Sequence, residues 1–188
     1  MHETLQEAYR NGAVPVRYAL LEKATRPMRA GEARQREEQV ILDLRRLPEN
    51  RFAIGSHTAH SRFDRWLAEG LSRLNHNVRY VHTKFLLVDP LGEDPVVVTG
   101  SANFSRASCV NNDENMLVIR RDTRVADVYL GEFMRLYNHF AWREWLSSRG
   151  AAEATASPSH LRTDAWWREY FRESARSRQR AYFAGVPI

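Results

Sequence analysis

Three short groups of polar residues alternate with strand-like apolar runs between residues 80 and 120. The groups are His82-Thr83-Lys84 followed by Asp89, then Gly100-Ser101-Ala102-Asn103, then Asn112-Asp113-Glu114. The runs at 80–88, 96–99 and 115–119 are rich in β-branched residues, which is typical of strands. Any fold of this chain must therefore carry these polar groups within or beside its strands.

The first run predicts a strand that presents His82 and Lys84 on one face, because side chains two residues apart project to the same side. A neutral imidazole beside an ammonium suits a phosphate diester, since the imidazole can attack phosphorus while the ammonium holds an oxygen. Asp89 lies an odd number of residues after His82 and Lys84, so its side chain should project to the opposite side. We therefore expect it to bond backbone or Arg groups in the turn at 90–95.

The second and third groups supply donors and an acid. Gly100 and Ser101 predict a sharp turn into a short helix, with Ser101 as N-cap and backbone N–H groups ready to bind an anion. The Asn103 amide and the Ser101 hydroxyl would add donors to a phosphate oxygen. Glu114, at the start of the third run, is placed to hydrogen-bond Nδ1 of His82 and leave Nε2 to attack.

The order and spacing of H-T-K-F-L-L-V-D, G-S-A-N and N-D-E resemble the catalytic signature of the phospholipase D superfamily, often called the HKD motif. The surrounding VTGSANFS and NDENMLVI also resemble the C-terminal half of bacterial phospholipase D-like proteins. The resemblance covers nearly the whole chain and is weakest over residues 1–50. Together with the strand and helix patterns, it implies an α/β fold, a mixed β-sheet flanked by helices on both faces.

The resemblance implies a metal-independent phosphodiesterase that needs no cofactor and forms a covalent phosphohistidine. His82 would act as nucleophile or general acid, and Glu114 would orient it. Lys84 and Asn103 would bind phosphate oxygens, supported by Gly100 and Ser101. The remaining motif residues, Asp89 and Asn112, are expected to support the structure.

Sites in this superfamily are built from two motifs, whereas the sequence has one H-x-K. The histidines that have no lysine two residues later are His2, His57, His60, His76, His139 and His160. Two chains could pair as a homodimer so that His82 faces its copy, a preceding HKD half could be missing, or the chain could be an inactive remnant. Phospholipid is the first predicted substrate, and nucleic acid, cut by an endonuclease of the same superfamily, is the alternative.

Composition limits these possibilities without choosing between the substrates. The net charge of +5 favours anionic partners, both phospholipid headgroups and nucleic acid. Of the 28 basic residues, all except Lys23 and Lys84 are Arg, which suggests that a compact ammonium is wanted at the H-x-K position. The single cysteine, Cys109, precludes an intramolecular disulfide.

The pattern predicts three regions: a catalytic half-domain at 1–146, a linker or loop at 147–160, and an Arg/aromatic helical tail at 161–188. Further strands are expected at 14–21 and 51–56, and helices at 2–11, 32–47, 60–75 and 122–145. No apolar stretch approaches the roughly 20 residues of a membrane span. No signal peptide is visible, so we expect a cytoplasmic protein.

Two features outside the motif have competing interpretations. His57 and His60 are spaced as metal ligands can be, but no carboxylate or thiol follows at a suitable spacing, so we interpret them as rim or surface residues. The aromatic residues of the tail could stack on single-stranded nucleic acid or lie on a lipid interface. We favour a helix that docks its aromatic side chains on the domain and leaves its arginines in water.

Overall fold

The computed structural model describes residues 3–11, 14–21, 31–55, 82–148 and 163–187. The chain divides into two compact units: unit 1 contains Met1–Gln6 and Val81–His139, and unit 2 contains Glu7–Tyr80 and Phe140–Ile188. The three polar groups all belong to unit 1. His57, His60, the helix predicted at 60–75 and residues 149–160 of the predicted linker lie outside the described residues.

The described residues form five strands and five α-helices. The strands are β1 (Arg17–Leu21), β2 (Asn50–Ile54), β3 (Phe85–Val88), β4 (Val96–Gly100) and β5 (Met116–Arg120). The helices are α1 (Glu3–Arg10), α2 (Glu32–Arg46), α3 (Arg106–Asn111), α4 (Thr123–Ser148) and α5 (Ala175–Ala184), with a 3₁₀ helix at Trp166–Tyr170. The predicted α/β class is confirmed, as are the helices at 2–11, 32–47 and 122–145.

The strands of unit 2 form a parallel pair, β1 with β2, in which Ala19 lies opposite Phe52. Helix α2 lies between these strands in sequence, as a parallel connection requires. Its Ile41 and Leu44, three residues apart on one face, are 5% and 1% exposed, and Ala53 of β2 is fully buried. Burial of this apolar stripe stabilises the unit.

Asn50 is a buried polar residue that ties the elements of unit 2 together. Its amide nitrogen donates to the carbonyl oxygens of Tyr9 at 2.8 Å and Leu44 at 2.9 Å. Its side-chain oxygen accepts a bond of 3.2 Å from the Arg17 guanidinium. Because the amide is satisfied on both sides, its burial does not leave an unpaired polar group.

The strands of unit 1 form an antiparallel sheet in the order β3-β4-β5. Val97 at its centre is 1% exposed. Phe85 of β3 makes edge-to-face contacts with Tyr129 and Phe133 of α4, at centroid distances of 5.2 and 6.0 Å. These contacts fix the sheet against the helix, so the ends of β3, β4 and β5 have a rigid support.

Parallel and antiparallel strand pairing both occur, as expected of a mixed fold: β1 and β2 pair in parallel, and β3, β4 and β5 pair antiparallel. One prediction about the strands is corrected. The strand predicted at 80–88 begins at Phe85, so His82 and Lys84 precede it. None of the helices within the described ranges is long and apolar enough to cross a membrane.

Candidate active site

The site is built where β4 ends beside the start of β5, and Gly100 makes this approach possible. Gly100 pairs with Met116, and a Cβ on Gly100 would lie 2.1 Å from the Asn115 carbonyl oxygen. A side chain is therefore excluded at this position. The Ser101 N–H then donates to the same Asn115 oxygen at 3.2 Å, which extends the strand pairing by one residue.

A hydrogen-bonded cluster surrounds the Glu114 carboxylate. The Ser101 hydroxyl donates to Oε2 at 2.5 Å, and the Asn112 amide donates to Oε1 at 3.1 Å. The Ser101 oxygen also accepts the Asn115 N–H at 3.1 Å. Each carboxylate oxygen thus has a donor that holds its position, although Glu114 is exposed.

The environment of Glu114 favours its charged form. The hydrogen bond from Ser101 is the largest cause that lowers the pKa of this carboxyl below its ordinary value, followed by the bond from Asn112. Desolvation, the third cause in size, raises the pKa of Glu114, and the positive charge of Lys84, the smallest of the four causes, lowers it. The charge of Lys84 thus reaches Glu114 and favours its ionised form.

The Ser101 prediction needs correction, because this residue does not cap a helix. Helix α3 begins at Arg106, and its N-cap is Ser105, whose hydroxyl oxygen accepts the Ser108 N–H at 3.3 Å. The N-cap of α3 thus lies four residues later in the chain than expected. Ser101 instead serves the Glu114 cluster, and the part of Gly100 and Ser101 in anion binding stays a prediction.

His82 and Lys84 lie in the extended segment before β3. The Lys84 ammonium donates to the His82 carbonyl oxygen at 2.9 Å, and the Thr99 hydroxyl donates to the Lys84 carbonyl oxygen at 3.2 Å. Because β3 begins at Phe85, the prediction that a strand carries the two residues is wrong. That their side chains share one face stays a prediction. The ammonium is positioned by the His82 carbonyl oxygen, and the Lys84 backbone is held by Thr99 of β4.

Asn103 and Asp89 flank this cluster along the chain. The carbonyl oxygen of Asn103 accepts the Ser105 N–H at 2.6 Å and the Cys109 thiol at 3.8 Å, and the Asn103 side chain is exposed. The role of its amide in phosphate binding stays a prediction. Asp89 adopts a positive φ of 46° in the turn after β3, where its carbonyl oxygen accepts the Gly92 N–H at 3.0 Å.

The predicted bond of the Asp89 side chain to backbone or Arg groups stays a prediction. Its carboxylate lies against Gly92, where an added Cβ would be 2.0 Å from Oδ2. The arginine that bonds to this turn, Arg121, pairs with Asp94 at 3.3 Å. The turn thus depends on the small size of Gly92 and on the ion pair of Asp94 with Arg121, the residue that follows β5.

The structure brings Lys84, Ser101, Asn112 and Glu114 into one cluster, with His82 linked to it through its carbonyl. The sequence argument missed Thr99 and the backbone of Asn115 as parts of this cluster. Antiparallel pairing of β3 with β4 would have placed Thr99 beside Phe85, next to Lys84. Within the described ranges no group of three His, Cys, Asp or Glu residues is arranged to hold a metal ion.

Residues 3–137 match the family described as "Cardiolipin synthase, PLD-like domain". The match covers well over half of the sequence. The chain belongs to this family. Membership in the PLD-like family confirms the superfamily resemblance.

A curated relative supports the PLD-like assignment. The mitochondrial cardiolipin hydrolase of Mus musculus is 35% identical over 68 residues, which is 36% of this chain and 28% of that relative. The similarity thus spans less than a third of the relative's length. No solved structure gives a significant match to the chain.

Proposed function

We propose that this PLD-like chain is a phosphodiesterase that hydrolyses phospholipid headgroup bonds through a covalent phosphohistidine at His82. The observation that supports it best is the cluster in which Ser101 and Asn112 hold the Glu114 carboxylate while Lys84 acts on its charge. An ordered acid, an ammonium and an imidazole are the groups that such a reaction requires, and His82 is joined to the cluster through its carbonyl oxygen.

In the first step, the neutral His82 ring would attack phosphorus through Nε2, forming a P–N bond as the bond to the leaving oxygen breaks. The leaving alkoxide would take a proton from a second, protonated imidazole. Lys84 and Asn103 would hold the non-bridging oxygens. An ammonium has three N–H donors, so its bond to the His82 carbonyl is compatible with a second bond to phosphate.

In the second step, water would give a proton to the second imidazole and attack phosphorus, and the P–N bond would break to restore His82. Glu114, kept charged by Ser101 and Asn112, would stabilise the positive imidazole that forms in each cycle. The phosphate charge would be neutralised by Lys84 and by amide donors, so the reaction needs no metal ion.

The second imidazole must come from outside the single motif of this chain, because no other histidine is followed by a lysine at the H-x-K spacing. A second copy of the chain, paired across a two-fold axis, would supply an identical His82. A separate polypeptide half with its own motif would supply an equivalent group. Both arrangements predict that a solitary chain is inactive.

Phospholipid is the proposed substrate class because the family description and the name of the relative both refer to cardiolipin, a phospholipid. A nuclease would use the same residues, and the net charge of +5 suits nucleic acid equally well. A catalytically silent half would form no phosphohistidine with either substrate.

The test compares the whole chain with a His82→Asn variant on three substrates: vesicles containing cardiolipin, single-stranded DNA and double-stranded DNA. We expect headgroup release by the wild-type chain, unchanged in EDTA, and loss of at least about a thousandfold in His82→Asn. His139→Asn is the matched control, because His139 lies on α4 and has no H-x-K partner.

The outcomes separate the alternatives. Cleavage of DNA with no headgroup release would make the chain a nuclease. Equal activity of His82→Asn and His139→Asn would exclude His82 as the nucleophile. Loss of activity in EDTA would contradict the metal-independent mechanism.

A further inference from the structure

The C-terminal segment exposes large aromatic side chains instead of burying them. Trp166, Trp167 and Phe171 are 44%, 51% and 68% exposed, and all lie within or next to the 3₁₀ helix. The prediction that the tail docks its aromatic side chains on the domain is wrong for these three. Indole and phenyl groups left in water at this density mark an interaction site.

The segment that carries these rings is nevertheless held firmly to unit 2. Ala181 of α5 is 2% exposed, and Phe183 contacts Tyr18 of β1 at a centroid distance of 6.2 Å. Arg180 donates to the Tyr170 carbonyl oxygen at 2.8 Å, which joins α5 to the 3₁₀ helix. The exposed rings are therefore presented from a fixed scaffold.

Arginines surround the rings. The Arg168 guanidinium lies 5.8 Å from the Trp167 ring, Arg176 lies 5.6 Å from Tyr170, and Arg180 lies 4.8 Å from Phe171. The described segment 163–187 holds five arginines and three acidic residues, a net charge of +2. We call Trp166, Trp167, Phe171, Arg168, Arg172 and Arg176 the aromatic–arginine surface.

The ring contacts favour a lipid interface over single-stranded nucleic acid. Base stacking needs open ring faces. Here the rings pack edge to face on one another, Trp166 with Tyr170 at 5.8 Å and Trp167 with Phe171 at 6.2 Å. The guanidinium groups of nearby arginines lie over the rings of Trp167, Tyr170 and Phe171. A bilayer interface requires no stacking, because indole rings enter the headgroup region while arginines reach phosphates above them.

We propose that the aromatic–arginine surface binds the headgroup region of an anionic phospholipid bilayer. The rings would supply apolar contact, and the net positive charge would select membranes with negative lipids. Binding through this surface does not require catalysis at His82, so the two proposals can fail separately.

The test measures sedimentation of the full chain with vesicles of phosphatidylcholine alone and with added phosphatidylglycerol. We expect binding to the anionic vesicles, with a tryptophan emission shift to shorter wavelength. Replacing both Trp167→Ala and Phe171→Ala should weaken binding at least about tenfold. Replacing both Arg168→Gln and Arg172→Gln should remove most of the preference for anionic vesicles, and about 1 M salt should do the same in the wild type.

Matched controls lie elsewhere in the chain. Trp142→Ala removes an indole of similar exposure, 49%, from α4, and Arg36→Gln removes an exposed arginine from α2. Both should bind as the wild type does. All variants should keep wild-type circular dichroism and wild-type turnover of a soluble bis-aryl phosphate, which reports the His82 site alone.

Three results would overturn the proposal. The first is equal binding by the Trp167/Phe171 double variant and the wild type. The second is an equal loss in Trp142→Ala, which would make the effect nonspecific. The third is that the aromatic replacements abolish binding of a single-stranded oligonucleotide and leave vesicle binding unchanged.

Discussion

The Ser101 hydroxyl donates to the Glu114 carboxylate at 2.5 Å, joining the end of β4 to the residues that precede β5. The same oxygen accepts the Asn115 N–H, so one hydroxyl fixes both a backbone and a side chain. Because hydrogen bonds to an ionised group are stronger than neutral ones, this contact orders the exposed acid of the site.

Ser101→Ala should raise the pKa of Glu114 towards its ordinary value, because the bond from Ser101 is the largest cause of the lowered pKa. A lowered pKa means that the cluster is intact above the ordinary carboxyl range and is lost as the pH falls through the lowered value. In Ser101→Ala we expect Glu114 to lose its charge at a higher pH, with activity near neutral pH about tenfold lower because the carboxylate is less well ordered.

Carboxyl titration by NMR in Ser101→Ala and Asn112→Ala checks this directly. The Ser101 variant should show the larger upward change in the pKa of Glu114, and Asn112→Ala the smaller. Glu132 offers a reference in the same spectra, since an ion pair with Arg135 on α4 lowers its pKa independently of the site. A Glu114 titration that does not change in Ser101→Ala would contradict the account.

Gly100→Ala should unfold the site region, because the new Cβ would meet the Asn115 carbonyl oxygen at 2.1 Å. We expect a loss of roughly 2–4 kcal/mol in the free energy of unfolding, measured by guanidinium denaturation. Gly131→Ala on α4 is the control, with open space around the added Cβ. It should gain about 0.5–1 kcal/mol, and equal effects of the two changes would refute the close approach.

Burial raises the pKa of Tyr9 to about 12, against a smaller opposing effect of Arg17. The folded chain holds the Tyr9 proton more tightly than the unfolded chain. The contribution of Tyr9 to the free energy of unfolding is therefore complete below about pH 10 and is lost as the pH rises towards 12. Stability should fall by roughly 2 kcal/mol over that range.

Tyr9→Phe should reduce this loss of stability at alkaline pH. At neutral pH it should cost about 1 kcal/mol, because the hydroxyl no longer donates to the Tyr18 carbonyl oxygen. Denaturation curves at neutral and alkaline pH measure both effects. An alkaline slope that stays the same in Tyr9→Phe would show that another group is responsible.

If a second copy of the chain supplies the second imidazole, the solution mass should be about twice 21.9 kDa and the activity per chain should fall on dilution. Sedimentation equilibrium and a dilution series of phosphodiester hydrolysis measure the two quantities together. A single chain with concentration-independent activity would contradict the need for a second motif. An inactive single chain that gains activity with a separate HKD half would assign the second imidazole to that half.

The motif spacing grouped Lys84, Ser101 and Glu114 in one site. In the structure Ser101 donates to Glu114 and the Lys84 charge acts on it, because strand pairing brings residues far apart in sequence together. The bond predicted between Glu114 and His82 stays a prediction. The apolar pattern did not place the start of β3 at Phe85, because the predicted run begins before this residue. The N-cap was predicted at Ser101 and lies at Ser105, since both are serines near the start of a short helix.

The tail shows a second limit of sequence reasoning. Alternation of arginine and aromatic residues suits a docked helix and an exposed surface equally well. The difference depends on which rings find partners outside their own segment: Phe183 contacts Tyr18 of β1, whereas Trp166 and Trp167 pack on Tyr170 and Phe171 beside them. Such pairing depends on tertiary contacts that periodicity does not encode.

The central claim is that His82 carries the phosphoryl group during turnover. Mass spectrometry of alkali-quenched reactions can follow the tryptic peptide 80–84, which contains His82 and ends at Lys84. We predict an acid-labile phosphorus-containing adduct on this peptide, with neither adduct nor turnover in His82→Asn. Continued turnover in His82→Asn, with no adduct on the wild-type peptide, would contradict it.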